Sequence, residues 1–239
     1  MNGFGASSNV DPAEIGRFEA LASRWWNPHG EFRALHAINP LRLAYISERA
    51  PLAGSRIVDV GCGGGLLAEA MAGAGGAVTG IDMAETALAV ARAHAAASAV
   101  ELRYELATAE QLAAREAGHF DVVTCLELLE HVPQPGQVVA ACARLARPGG
   151  NLFFSTINRN PKSFLFSIVG AEYVLGLLPR GTHEYERFIR PSELASWARL
   201  ASLEVADLTG LHYDPFAARY SLGGNVDVNY LMHCRRKAE

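Results

Sequence analysis

The chain has very little lysine. Its only two, Lys162 and Lys237, stand outside every pattern in which lysine carries a nucleotide. Neither follows a glycine, which excludes a phosphate loop of the Gly-Lys kind, and neither lies four residues after a tyrosine, which excludes the Tyr-x-x-x-Lys pair of short-chain dehydrogenases. Basic charge is also short: 21 Lys and Arg against 25 Asp and Glu leave a net charge of -4, so no surplus exists to neutralise a nucleic-acid backbone. The four cysteines, Cys62, Cys125, Cys142 and Cys234, form no CxxC pair and no zinc spacing, and are expected to be free thiols in a reducing cytosol. No apolar run reaches about 18 residues, so no transmembrane helix is expected. The first residues, MNGFGASSNVDPAEIGRF, contain no apolar segment behind a basic one, so no secretory signal is expected either. Repeats and low-complexity linkers are missing.

What is present suffices for a large core: half of the 239 residues are apolar and 19% are charged. After a loose tail, DPAEIGRFEALASRWW has Asp11 as an N-cap, Pro12 at the first helical position and Ile15, Phe18, Leu21 and Trp25 at helical spacing. A second helix is expected from about Pro40 to Arg49. Short apolar strands then alternate with helices. The strands are expected at 56–60, 77–82, 100–105, 120–127 and 151–157, the helices near 65–73, 84–97, 108–116 and 135–146. Two further segments, 203–211 and 226–234, have no clear helix between them and are expected to pair antiparallel. The pattern predicts an α/β, doubly wound, mostly parallel seven-stranded sheet with an antiparallel last strand.

The segment IVDVGCGGGLLAEAM, 57–71, ends a strand in glycines and starts a helix. Gly61, Gly63, Gly64 and Gly65 permit a tight turn and close approach to backbone N–H groups at the carboxyl end of the first strand, where open α/β sheets bind ligands. A tight turn without a ligand is the bland alternative. The dinucleotide fingerprint would want a third glycine where Leu66 stands. Asp82 closes the second strand, placed to accept the hydroxyls of a ribose, which suits NAD and S-adenosylmethionine equally.

The order Asp59-x-Gly61-x-Gly63, then Asp82, then PGG at 148–150, resembles the class I S-adenosylmethionine-dependent methyltransferases. On that resemblance the loop cradles the methionyl part of S-adenosyl-L-methionine, Asp59 braces the loop, and Asp82, with its neighbour Met83, meets the sugar side. A cation should face the methionyl carboxylate, and Arg42 is the candidate, with a plain surface arginine as the alternative. Leu126 would pack beside the cofactor, and Glu110 near the adenine. The flanks RFEALASRWWNPHGEFRALHAINPLRLAYI, DVVTCLELLEHV, PGGNLFFSTINRN, VGAEYVLGLLPRGTHEYERFIRP and GLHYDPFAARYSLGGNVDVNYLMH narrow the match to the bacterial ubiquinone-biosynthesis O-methyltransferases, from about Val10 to His233. The resemblance implies a Rossmann-like single domain over 1–239: a helical cap (1–50), a cofactor-binding core (51–160), an inserted lid (161–190) and C-terminal strands (191–239). It also implies methylation of phenolic oxygens on a polyprenyl catechol and a demethylated ubiquinol, with cofactor contacts at Arg42, Gly61, Asp82 and Leu126. A methyltransferase for another phenol, or a cofactor-binding subunit of a quinone-biosynthesis complex, remains as an alternative.

Glu127, Glu130 and His131 stand at i, i+3 and i+4 after the fourth strand, a spacing that can gather them on one face of a turn. The resemblance implies that they hold Mg²⁺. The residues alone leave this open, because histidine suits Zn²⁺ better and His131 can serve as a general base without metal. His183 and His212 are weaker base candidates. The segment 161–183 carries two apolar helical stripes flanked by Arg159, Lys162, Arg180, Arg187 and Arg190. It is expected to form a lid, either docking a cytoplasmic enzyme on the anionic inner face of the membrane or packing on its own domain.

Overall fold

The computed structural model describes residues 9–160 and 185–238. Of the expected lid at 161–190, residues 161–184, with His183 and the cationic flank at Lys162 and Arg180, lie outside them.

Five parallel strands form the middle of the molecule: β1 Arg56–Val60, β2 Ala77–Asp82, β3 Arg103–Leu106, β4 Phe120–Leu126 and β5 Ala146–Ile157. Their side chains are buried on both faces wherever the helices cover them, as a parallel sheet requires; β1 is buried from Ile57 to Val60. Helices α3 (Leu66–Gly73), α4 (Glu85–Ala97), α5 (Ala109–Arg115) and α6 (Pro135–Leu145) make the connections, and α7 (Pro191–Leu200) precedes the last strands. These are β6 Leu203–Asp214, β7 Arg219–Leu222 and β8 Asn229–Arg236. The sheet order is β3-β2-β1-β4-β5-β8-β6-β7. β8 runs antiparallel between β5 and β6, so 203–211 and 226–234 do pair antiparallel. The sheet has eight strands rather than seven: the short β7 returns along the end of β6, and its alternating Arg-Tyr-Ser-Leu is only four residues long.

Two apolar clusters fill the layers on either side of the sheet. One gathers Phe120, Leu152 and Phe154 with α5, α6 and α7; the other gathers Ile57, Val122 and Phe153 with Ile38, Tyr45 and Met71 from the helices opposite. The strand order reverses between β1, which continues to β2 and β3, and β4, which continues to β5. This is the crevice where such sheets bind ligands.

The N-terminal helices differ most from expectation. α1 spans Pro12–Leu21, with Asp11 accepting a hydrogen bond from the Ala13 N–H (3.0 Å), and a 3-10 turn follows at Ala22–Arg24. α2 starts at Arg33, seven residues before the expected start, and runs through Pro40 to Ser47. A proline inside a helix loses one hydrogen bond. Here the added turns bury Ile38 and bring Leu35 against the core, and Asn39 Nδ2 donates to the Leu66 carbonyl (2.9 Å), anchoring the helix beside the glycine turn. At the other end of the expected lid, Phe188 and Ile189 are buried in the core. Ile189 N–H bonds the Ile157 carbonyl.

Candidate active site

The carboxyl ends of β1, β2 and β4, together with α1 and α2, enclose a cavity of about 880 Å³. That is large among ligand pockets. Arg42, Asp59, Gly61, Gly63, Asp82, Met83, Leu126, Glu127, Glu130 and His131 all line it, as do Glu110 and His212. The fold thus gathers residues as far apart in the chain as Arg42 and His212 into one space.

At the β1 end, Asp59 is buried and accepts a 2.6 Å hydrogen bond from Thr124 Oγ1 on β4. Burial raises its pKa to about 6; the Thr124 bond and the nearby Arg42 charge oppose that rise without cancelling it. The turn is pinned where Gly61 N–H and Cys62 N–H both donate to the Ile81 carbonyl. Asp82 accepts from Gly63 N–H and Ala84 N–H, one on each carboxylate oxygen, both at 2.8 Å. It therefore ties the glycine turn to the start of α4, and each oxygen keeps a second lone pair for a ligand. Burial raises the Asp82 pKa.

The bare backbone of the turn also serves a partner that the sequence did not suggest. A Cβ at Gly63 would overlap the Trp25 ring at Cζ2, and one at Gly64 would overlap it at Cγ. Trp25 stacks on Phe32 (4.1 Å between centroids), and the next indole, Trp26, donates from Nε1 to the Gly64 carbonyl (2.9 Å) and stacks on His94. The N-terminal segment is thereby laid over the turn.

Arg42 is 6% exposed, so it is no surface arginine. Its Nη2 is 3.0 Å from Glu127 Oε1, an ion pair without the alignment of a hydrogen bond, and Nε has no partner. A buried guanidinium with unused donors facing a cavity fits a carboxylate ligand.

The second half of the site departs from the expected geometry. Glu127 has φ +52°, a left-handed conformation that a non-glycine residue adopts at a cost of about 1–3 kcal/mol. A 3-10 turn follows at Leu129–His131; Glu127 precedes that turn, so the three residues do not share one continuous helical turn. The three expected metal ligands therefore part company. Glu127 accepts from Ser155 Oγ (2.6 Å) and faces Arg42. Glu130, 4% exposed, accepts from Thr156 Oγ1 (2.9 Å), while its Oε1 has no partner; burial and the Glu127 charge raise its pKa. His131 Nδ1 is 2.8 Å from Glu14 Oε2 on α1. Among the described residues no group of three or more histidines, cysteines or carboxylates is placed to hold a metal ion. As arranged, these residues give no support to the expected Mg²⁺ site. Burial acts to lower the His131 pKa, but the Glu14 hydrogen bond and the charges of Glu130, Glu14 and Glu127 outweigh it and leave the value raised. His212 lies against the Gly223 carbonyl (2.6 Å) and Glu110 accepts from Asn9 Nδ2 (3.0 Å).

Comparison with known proteins matches this frame. Residues 58–154 match the family model described as a methyltransferase domain. The ubiquinone biosynthesis O-methyltransferase of Pseudomonas aeruginosa is 59% identical over 231 residues, covering 97% of this chain and 100% of that protein. The protein of the same name from Thiobacillus denitrificans is 61% identical over the same shares of both chains. That from Marinobacter nauticus is 61% identical over 98% of this chain and 99% of its own. The chain belongs to the ubiquinone biosynthesis O-methyltransferase family. Solved structures add the fold. Magnesium protoporphyrin IX methyltransferase from Synechocystis, with bound SAH, superposes at TM-score 0.66, with 19% identity over 90% of this chain and 94% of its own. A possible histamine N-methyltransferase from Thermotoga maritima gives TM-score 0.66 and 19% identity, over 94% and 99%.

Asp59, Gly61 and Gly63 could be singled out from the glycine segment itself, and Asp82 from its place at the end of the second strand. Glu14, Trp25, Thr124 and Ser155 were missed as site residues. The one available signal was Glu14 itself, an acid one turn before Phe18 on the otherwise apolar stripe of α1.

Proposed function

We propose that this family member transfers the methyl group of S-adenosyl-L-methionine to phenolic hydroxyls of ubiquinone precursors, both a polyprenyl catechol and a demethylated ubiquinol. The observation that carries this reading is a single cavity with two chemically different ends. One end is an anion-and-sugar end of glycine-turn amides, Arg42 and Asp82; the other is an imidazole end at His131.

The donor supplies an electrophilic methyl on a sulfonium, so the reaction is an in-line displacement in which the phenolic oxygen gains the methyl and the sulfur leaves as a thioether. Arg42 and the amides of the turn bind the donor's carboxylate, Asp82 accepts from its ribose, and Leu126 and Met83 pack against it. Held this way, the methyl faces the acceptor, and positioning alone supplies much of the rate. The phenol itself has a pKa near ~10, so ionising it at pH 7 costs roughly 4 kcal/mol. His131 takes that proton as the oxygen attacks. Glu127 holds Arg42 from the acceptor side.

Incubation of the purified chain with isotopically labelled donor and a short-chain prenylated catechol should yield the methyl ether, and His131→Ala should lose it. Label transfer to an unprenylated phenol at equal efficiency would instead support an enzyme for other phenols.

The isoprenoid tail of such substrates partitions into lipid. No helix among the described residues is long and apolar enough to cross a membrane; delivery at the cytoplasmic membrane surface through the segment 161–190, apolar with flanking basic residues, is part of the proposal. Failure of the full-length chain to float with anionic vesicles, with deletion of 163–179 making no difference, would remove it.

A further inference from the structure

His131 reaches the cavity from the 3-10 turn after β4, an element of three residues that cannot by itself fix a ring. Its orientation comes from the N-terminal helix, 117 positions away in the chain. Glu14 on α1 is 8% exposed, and its Oε2 is 2.8 Å from His131 Nδ1. The other carboxylate oxygen is taken by Arg17 Nη1 at 2.9 Å, one turn further along the helix. Phe18, also one turn on, meets the imidazole edge-on, with centroids 5.3 Å apart and planes at 87°. α1 is itself held down: its N-cap, Asp11, pairs with Arg187 Nη2 at 3.0 Å. Glu14, Phe18 and His131 all line the cavity.

A carboxylate on Nδ1 requires the proton on that nitrogen. In the neutral ring Nε2 is then the unprotonated nitrogen, the one able to accept a proton from a substrate. We propose that Glu14 is a positioning residue for methyl transfer: from α1 it fixes the plane and tautomer of His131, so that Nε2 is presented to the acceptor hydroxyl. This rests on His131 as the proton acceptor. It makes the N-terminal helix part of the catalytic apparatus rather than a cover alone.

The test compares Glu14→Ala and Glu14→Gln with the parent chain, by steady-state kinetics and by ¹⁵N spectra of the His131 ring at alkaline pH, where the ring is neutral. Glutamine keeps the reach and an acceptor oxygen; alanine removes both. The expectation for Glu14→Ala is a fall in kcat of about 10–100-fold, the usual effect of removing a partner that orients a functional histidine, with KM for donor and acceptor within about twofold. Glu14→Gln should recover part of the kcat. The parent spectrum should show the proton on Nδ1, and Glu14→Ala a mixture of tautomers. An unchanged kcat in Glu14→Ala, or a loss appearing in KM and donor affinity with the His131 resonances unmoved, overturns the proposal in favour of a purely structural contact. His131→Ala with full turnover would remove the base assignment instead, while the ring spectra would still decide whether Glu14 sets the tautomer.

Discussion

Substituting Gly64 by alanine isolates the contact between the N-terminal segment and the glycine turn. Gly64 is not in the left-handed region, so the added methyl brings no backbone strain; Gly63, at φ +52°, would confuse the two effects. The new Cβ would overlap Trp25 at Cγ and Cδ1. Those atoms sit at the root of the indole, so the side chain cannot swing clear and the segment carrying it must shift. Overpacking of this kind costs about 1–3 kcal/mol, equivalent to roughly 2–12 °C in Tm for a chain of this size. Trp25→Ala alone removes a buried indole, at about 3–5 kcal/mol. In the double variant the Gly64 methyl has nothing to strike, so its penalty should vanish and a coupling of about 1–3 kcal/mol should appear. Urea unfolding followed by far-ultraviolet circular dichroism measures all four corners without relying on the tryptophan. An equal penalty for Gly64→Ala with and without Trp25 would refute the claim that the bare turn exists to receive the indole.

Arg42→Met keeps the length of the side chain and removes its unused donors; titration calorimetry should show donor affinity down about 10–100-fold, the worth of hydrogen bonds to a charged group, and an unchanged affinity would free Arg42 from the donor. Asp82→Ala should abolish donor binding and also lower stability by roughly 1–3 kcal/mol for each buried amide left unsatisfied at Gly63 and Ala84; a stable variant that merely fails to bind would contradict the second part. Asp59 has a folded pKa of about 6 against an ordinary 3.8. Its contribution therefore favours the fold below about pH 4 and is lost as pH rises through 6, reaching a penalty of about 3 kcal/mol at neutrality. Asp59→Asn should gain on the parent by up to that amount between pH 4 and 7 in denaturant unfolding, and parallel curves would show that the carboxylate is not desolvated.

Much of the frame could be read along the chain because it rests on local rules. Strands buried on both faces read as short apolar runs, as at β1 and β4, and a turn that needs positive φ reads as glycine. β7 escaped because its alternation of Tyr220 and Leu222 with Arg219 and Ser221 is only four residues long. The start of α2 escaped because proline is a strong helix-start signal, and only packing against the core made it an interior residue.

The sequence by itself determined the parallel frame, the position of the glycine turn and the acid that closes the second strand, since each depends on residues within a few positions of one another. Only the tertiary structure decided what the side chains do once there. Glu127, Glu130 and His131 are neighbours in the chain, yet they turn to Arg42, Thr156 and Glu14. A left-handed residue followed by a 3-10 turn sets their directions, and partners on distant elements fix them. Spacing gives the distance between two residues along a backbone; a shared site also needs their side-chain directions, and those are settled by packing.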